Sequence, residues 1–98
     1  MIYCFDIDGT LCSKDHEDYK DAEPFLDRIK IVNDLYDDGN KIILFTARGA
    51  ATGIDWEDLT KEQAKTWGLK YHELRFGKPH ADVFIDDRAQ DLFNWFNY

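Results

Sequence analysis

A chain of 98 residues suffices for one compact domain, expected to run over residues 1–98. Its 44% hydrophobic and 15% aromatic content can build a core without disulfides or a structural metal, which argues against disorder. With 12 Lys and Arg against 20 Asp and Glu, a formal charge of -8, nonspecific binding to nucleic acid is disfavoured, because such binding rests on cationic contacts to phosphates.

The first residues, Met1 to Ile7, form a short apolar and aromatic run ending in acid and glycine, the pattern of a buried parallel strand entering a loop. That reading puts Asp6 and Asp8 at a strand's carboxyl end. Residues Thr10 to Asp21 are polar and weakly patterned, and are expected to form a loop or small flap. The stretch Glu23 to Asp38 carries apolar residues at Phe25, Leu26, Ile29, Val32, Leu35 and Tyr36. It predicts a helix with Pro24 in the first turn and Gly39 after its end.

Lys41 to Thr46 is a nearly continuous β-branched and aromatic run, suited to a central strand, and it brings Thr46 to another strand end. A loop with Gly49 and Gly53 follows. Asp55 is placed to cap a helix through Trp56, Leu59, Ala64 and Trp67 to Gly68. A short strand is expected over Tyr71 to Arg75, a turn at Gly77-Lys78-Pro79, a last strand over Ala81 to Ile85 ending at Asp86 and Asp87, and a closing helix from Arg88 to Phe96.

Alternating strands and helices predict an α/β fold: a three-layer, Rossmann-like open parallel sheet with right-handed crossovers. Ligands bind such sheets beyond the carboxyl ends of the strands, where Asp6, Asp8, Thr46, Lys78, Asp86 and Asp87 are all expected. Carboxylates at the ends of apolar runs need a reason to be there, whereas most of Asp15 to Asp21 reads as solvated surface.

Cys4 and Cys12 form no CxxC pattern and are expected as reduced thiols. Neither is followed five residues later by arginine, which disfavours a thiol nucleophile. His16, His72 and His80 lack ligand spacing and read as surface or loop histidines. With no charged leader and no membrane-length apolar run, a cytoplasmic protein without membrane contact is expected.

Four short segments in order resemble the motifs of the haloacid dehalogenase (HAD) superfamily of phosphatases and phosphotransferases. They are Asp6-Ile7-Asp8-Gly9-Thr10, Thr46 in Phe45-Thr46-Ala47-Arg48, Lys78, and Asp86-Asp87-Arg88-Ala89-Gln90-Asp91. A lone DxD is weak evidence; the ordered set spans almost the whole chain.

The resemblance implies a magnesium-dependent phosphomonoester hydrolase acting through an aspartyl phosphate on Asp6. Asp8 would protonate the leaving oxygen and then activate the hydrolytic water. Asp6, Asp87 and the main-chain carbonyl of Asp8 would hold Mg2+, a hard cation suited to oxygen ligands, with Asp86 and Asp91 acting through water. Thr46 and Lys78 would contact the phosphoryl oxygens, joined by the amides of Ile7 and Ala47, while Gly9 lets the chain turn beside the phosphate.

The intervals from Thr10 to Glu23 and from Thr46 to Lys78 are too short for an inserted cap domain, so a capless, open site is expected. Oligomerisation could shield it. Segments Phe45 to Gly49, Thr52 to Trp56 and Tyr71 to Leu74 also resemble small capless members found among bacterial capsular and surface-polysaccharide genes. That points to a small-molecule phosphate substrate such as a sugar phosphate, with Arg48, Lys14 and His16 as candidate contacts. Two competing functions are a phosphoacceptor signalling module like the response-regulator receivers and a catalytically silent phosphate binder. Receivers place the phosphorylated aspartate after the acidic pair, whereas here DxDGT opens the chain and the Asp-Asp pair closes it.

Overall fold

The computed structural model describes residues 1–14, 18–49, 52–77, 82–85 and 96. Among them, four strands form one sheet: β1 (Ile2–Asp6), β2 (Lys41–Phe45), β3 (Glu73–Arg75) and β4 (Val83–Ile85). The order across the sheet is β3-β2-β1-β4, and every neighbouring pair is parallel. Two helices, α1 (Leu26–Asp37) and α2 (Glu57–Thr66), make the connections from β1 to β2 and from β2 to β3. This is the open, Rossmann-like parallel α/β arrangement that the alternating pattern predicts.

The sheet has two unequal faces. Phe5, Ile42, Leu44 and Ile85 join Ile29 and Val32 of α1 and Ala64 of α2 in the main core cluster. Cys4, Ile43 and Phe45, one residue out of phase, form a smaller cluster on the opposite face. Burying each large apolar side chain stabilises the fold by about 1.5–3 kcal/mol relative to exposure. Both described helices therefore belong to the Phe5 face. The expected closing helix from Arg88 to Phe96 lies outside the described residues except for Phe96, which is helical, buried and part of the main cluster.

The strands are shorter than expected at their ends, and α1 begins later. Pro24 lies outside that helix and bridges antiparallel to Cys12. Ser13 N–H donates to Glu23 O (2.8 Å) and Phe25 N–H to Leu11 O (2.8 Å), so residues 11–13 and 23–25 close the base of the flap as a strand-like pair. The physical reason lies in this pairing, which commits the backbone of residues 23–25 to residues 11–13 and delays the helix until Leu26, while Pro24 also keeps Glu23 out of the helical region. Within the flap, Tyr19–Asp21 make a 3₁₀ turn where only loop was expected.

The end of α2 follows its sequence signals. Gly68, at φ +70°, takes the left-handed position, while Gly68 N–H donates to Lys65 O and Leu69 N–H to Ala64 O. At its start, Asp55 Oδ1 accepts from Glu57 N–H (2.9 Å).

His72 is exposed, as expected, and has a structural part besides. Its N–H donates to Ile42 O (2.8 Å), its Nδ1 accepts from Ile42 N–H (3.0 Å), and its ring stacks on Tyr36 with centroids 4.5 Å apart. The imidazole thus stands in for a backbone carbonyl in extending the β2–β3 ladder. Replacing it leaves the N–H of a buried strand residue without that acceptor. We expect His72→Ala to lower the unfolding free energy by about 1–3 kcal/mol, read as a shifted midpoint in urea.

Candidate active site at the carboxyl ends of β1 and β2

The sheet order reverses at β1, which has β2 on one side and β4 on the other. In open α/β sheets the crevice beyond such a strand is where ligands bind. Asp6 is the last residue of β1, half-buried, and in register with Phe45 at the end of β2. Thr46 follows immediately, is 1% exposed, and is anchored by its N–H to Arg75 O at 3.0 Å. Two strand ends thus bring Asp6 and Thr46 together from positions 40 residues apart in the sequence.

The turn after β1 is tightly wound. Ile7 O accepts from the N–H groups of Thr10, Leu11 and Cys12, and Gly9 N–H donates to Cys12 O (2.8 Å) with Gly9 at φ +83°. Only glycine takes that left-handed position without steric cost. This winding returns Asp8 toward the strand ends, where its carboxylate meets Thr46 Oγ1 at 3.5 Å. Thr10 Oγ1, fully buried, has no hydrogen-bond partner among the described residues.

Arg48 dominates the local electrostatics. Its Nε donates to Asp8 Oδ2 (2.9 Å) and its Nη2 to Asp8 Oδ1 (2.8 Å), a two-pronged fork on one carboxylate. Its Nη1 donates to Thr60 Oγ1 (3.2 Å) and Gln63 Oε1 (2.5 Å), and the guanidinium carbon lies 4.7 Å from the Tyr19 ring centroid. The Arg48 side chain is 0% exposed and that of Asp8 20%. Arg48, expected among the phosphate- and substrate-binding residues, instead commits four N–H groups to protein acceptors. A fully buried guanidinium needs such partners, because an unpaired charge there is strongly destabilising. Ala47 is exposed on the rim of the same loop, and Lys14 is exposed on the flap.

Tyr19, Thr60 and Gln63 are parts of this site that the sequence reading missed. A signal was present. Thr60, Gln63 and Ala64 are the buried residues of α2, and two polar residues on a buried stripe call for polar partners. The apolar residues Leu59, Ala64 and Trp67 mark the helix but not these partners.

The loop carrying Arg48 depends on the glycine that follows it. Gly49 has φ +82°, and a Cβ there would run into the main-chain oxygen of Ile54 and lie 3.2 Å from Trp56 Cδ1. Gly53, at φ +73°, has open space around it, so Gly53→Ala incurs only the left-handed penalty of about 1–2 kcal/mol. Gly49→Ala carries that penalty and a backbone collision besides. Comparing thermal unfolding of the two variants should show the larger loss in Gly49→Ala, with Arg48 displaced along with the loop.

Cys12 lies beneath Asp8 and gives no nucleophile. Burial first, and the Asp8 charge second, push its thiol up to about 12, so it stays protonated at neutral pH. Its Sγ lies 3.6 Å from both Ile7 O and Asp8 Oδ1.

Lys78, Asp86, Asp87, Asp91, His16 and His80 lie outside the described residues. Among the described residues, no three His, Cys, Asp or Glu side chains converge as a metal-holding group. What Asp6 and the Asp8 main chain present are hard oxygen donors, the kind that suits magnesium. Among those same residues, no helix is long and apolar enough to cross a membrane.

A scan against protein-family models and a search of curated proteins gave no match. Among solved structures, the chain is similar to a crystal structure of an MCSG target from Vibrio cholerae. The two share 27% identity at a TM-score of 0.79, over 100% of this chain and 89% of that one. An open α/β fold with a parallel sheet is thus found in a second chain of nearly the same extent.

Proposed function

We propose that the chain is a magnesium-dependent phosphomonoester hydrolase of the HAD type, acting on a small phosphorylated metabolite such as a sugar phosphate. The observation that carries this reading is the meeting of Asp6, Asp8 and Thr46 at the carboxyl ends of β1 and β2, where the sheet order reverses. The motif resemblance supplies the roles, and Lys78 and Asp87 enter through that resemblance alone.

In this mechanism an Asp6 carboxylate oxygen forms a bond to phosphorus as the bond to the leaving oxygen breaks, giving an aspartyl phosphate. Asp8 delivers a proton to that leaving oxygen. It then takes a proton from the water that attacks phosphorus, and the bond to Asp6 breaks to release inorganic phosphate. The fork from Arg48 takes one lone pair on each Asp8 oxygen; the other meets only a long contact, Thr46 Oγ1 at 3.5 Å on Oδ2 and Cys12 Sγ at 3.6 Å on Oδ1, which must give way to the travelling proton. Thr46 Oγ1 accepts from Arg48 N–H (3.1 Å) and donates to Asp8 Oδ2 over a long 3.5 Å, a bond its O–H would exchange for one to a phosphoryl oxygen. Magnesium, held by Asp6, Asp87 and the Asp8 carbonyl, would offset the repulsion between an anionic nucleophile and an anionic ester.

A cytoplasmic setting fits the two free thiols, Cys4 and Cys12. Phosphate release from an aryl phosphate and from a panel of sugar phosphates, with magnesium and with a chelator in its place, tests the reading. No release from any substrate with magnesium present would reject it.

A further inference from the structure

The bonds that hold Asp8 do not stop at Arg48. Gln63 accepts from Arg48 Nη1 through Oε1 and, through Nε2, donates to the main-chain oxygen of Tyr19 (2.5 Å) in the flap. The Tyr19 ring covers the same guanidinium, and Trp56 meets that ring edge-on with centroids 5.0 Å apart. One amide side chain on α2 therefore joins the flap to the fork on Asp8. Gln63 is 8% exposed and Arg48 3%, so the connection runs through the interior, where a partly satisfied polar network is costly.

We propose that Gln63 is a positioning residue that, through Arg48, couples the placement of the flap at Tyr19 to the orientation of Asp8. The inference rests on the phosphatase reading, with Asp8 as proton carrier. Its direction follows from the geometry of the amide. Oε1 must face the Arg48 donor and Nε2 the Tyr19 acceptor, so a flap displaced at Tyr19 withdraws the acceptor that fixes Gln63. The guanidinium then loses both the amide and the ring above it, and its fork on Asp8 loosens.

Proton delivery matters most when the leaving oxygen is strongly basic. An alkyl phosphate needs Asp8 in place, whereas p-nitrophenyl phosphate leaves as a stabilised phenolate and needs it less. If Gln63 merely filled a buried polar position, its loss would lower the folded fraction and reduce both activities equally.

The test uses the full chain with magnesium and the variant Gln63→Glu, which keeps an acceptor for Arg48 and loses the donor to Tyr19 O. We expect kcat for glycerol phosphate to fall about tenfold or more, and that for p-nitrophenyl phosphate by less than about threefold, with KM little changed. In an Asp8→Asn background the same change should leave the ratio of the two activities unaltered. Amide hydrogen exchange over residues 18–25 should quicken in Gln63→Glu, a readout independent of catalysis.

An equal loss on both substrates, or flap exchange as slow as in the parent chain, overturns the proposal. Where Gln63→Glu does not fold, Tyr19→Leu removes the ring and keeps the main-chain acceptor. It should shift the substrate ratio in the same direction, and an unshifted ratio counts against the coupling. No phosphate release from the parent chain would defeat the phosphatase reading, whereas an active parent chain with equal losses on both substrates in Gln63→Glu defeats the coupling alone.

Discussion

Asp6→Asn is expected to reduce magnesium-dependent phosphate release by on the order of 10³-fold or more, with the fold intact. An amide oxygen is a poor nucleophile toward phosphorus, and its neutral side chain is also a weaker ligand for a hard cation. The half-buried position of Asp6 at the end of β1 makes the change mild for folding, since Asn is nearly isosteric and the strand ladder is made by the backbone. Unfolding midpoints should therefore stay close to those of the parent chain while turnover disappears. Trapping adds a second readout: rapid acid quench of the parent chain during turnover should capture phosphate on the protein, and Asp6→Asn should capture none. Turnover at the parent rate in Asp6→Asn would remove Asp6 from the chemistry altogether.

Arg48→Met should cause a large loss of stability. Methionine matches much of the arginine stem but leaves the acceptors Gln63 Oε1 and Thr60 Oγ1 without their donor and Asp8 without its fork. The Asp8 side chain keeps 20% exposure and can regain water, so the cost falls near the lower end for a broken buried pair, roughly 2–4 kcal/mol. For a domain of this size that corresponds to a melting temperature lower by about 10–25 °C. Asp8→Ala should be at least as destabilising, because it strands a guanidinium that is 0% exposed. Calorimetry on the two variants checks the order, and a negligible loss in Arg48→Met would mean that the fork contributes little to folding.

The elements were legible because their signals are local. The continuous β-branched run at Ile42, Ile43 and Leu44 marks a strand buried on both faces, and it is one: these residues are 0%, 4% and 0% exposed. Ile29 and Val32, spaced for one helical face, are the buried residues of α1. The start of that helix is not a local matter, because proline suits a first turn and only a distant segment takes residues 23–25 away from the helix. Pairing of Leu11 and Ser13 with Phe25 and Glu23 decided the matter.

The site divides in the same way. Asp6 and Thr46 could be placed at strand ends by reading where apolar runs stop, and both stand there. Arg48 could not be placed, because an arginine two residues past a strand reads equally well as a rim residue facing solvent. Its direction depends on Asp8, 40 residues earlier, and on Thr60 and Gln63, which α2 brings over it. The acceptance of Ile42 N–H by His72 across 30 residues is of the same kind.

By itself, then, the sequence determined the alternation of strands and helices, the parallel sheet, and the arrival of Asp6 at the end of β1. Each follows from hydrophobic period and turn chemistry, which act over a few neighbouring residues. Only the tertiary structure decided what surrounds the carboxylate two residues on. A buried charge takes its partners from whatever elements pack against it, and for Asp8 those are the Arg48 loop and, through Arg48, α2 and the flap.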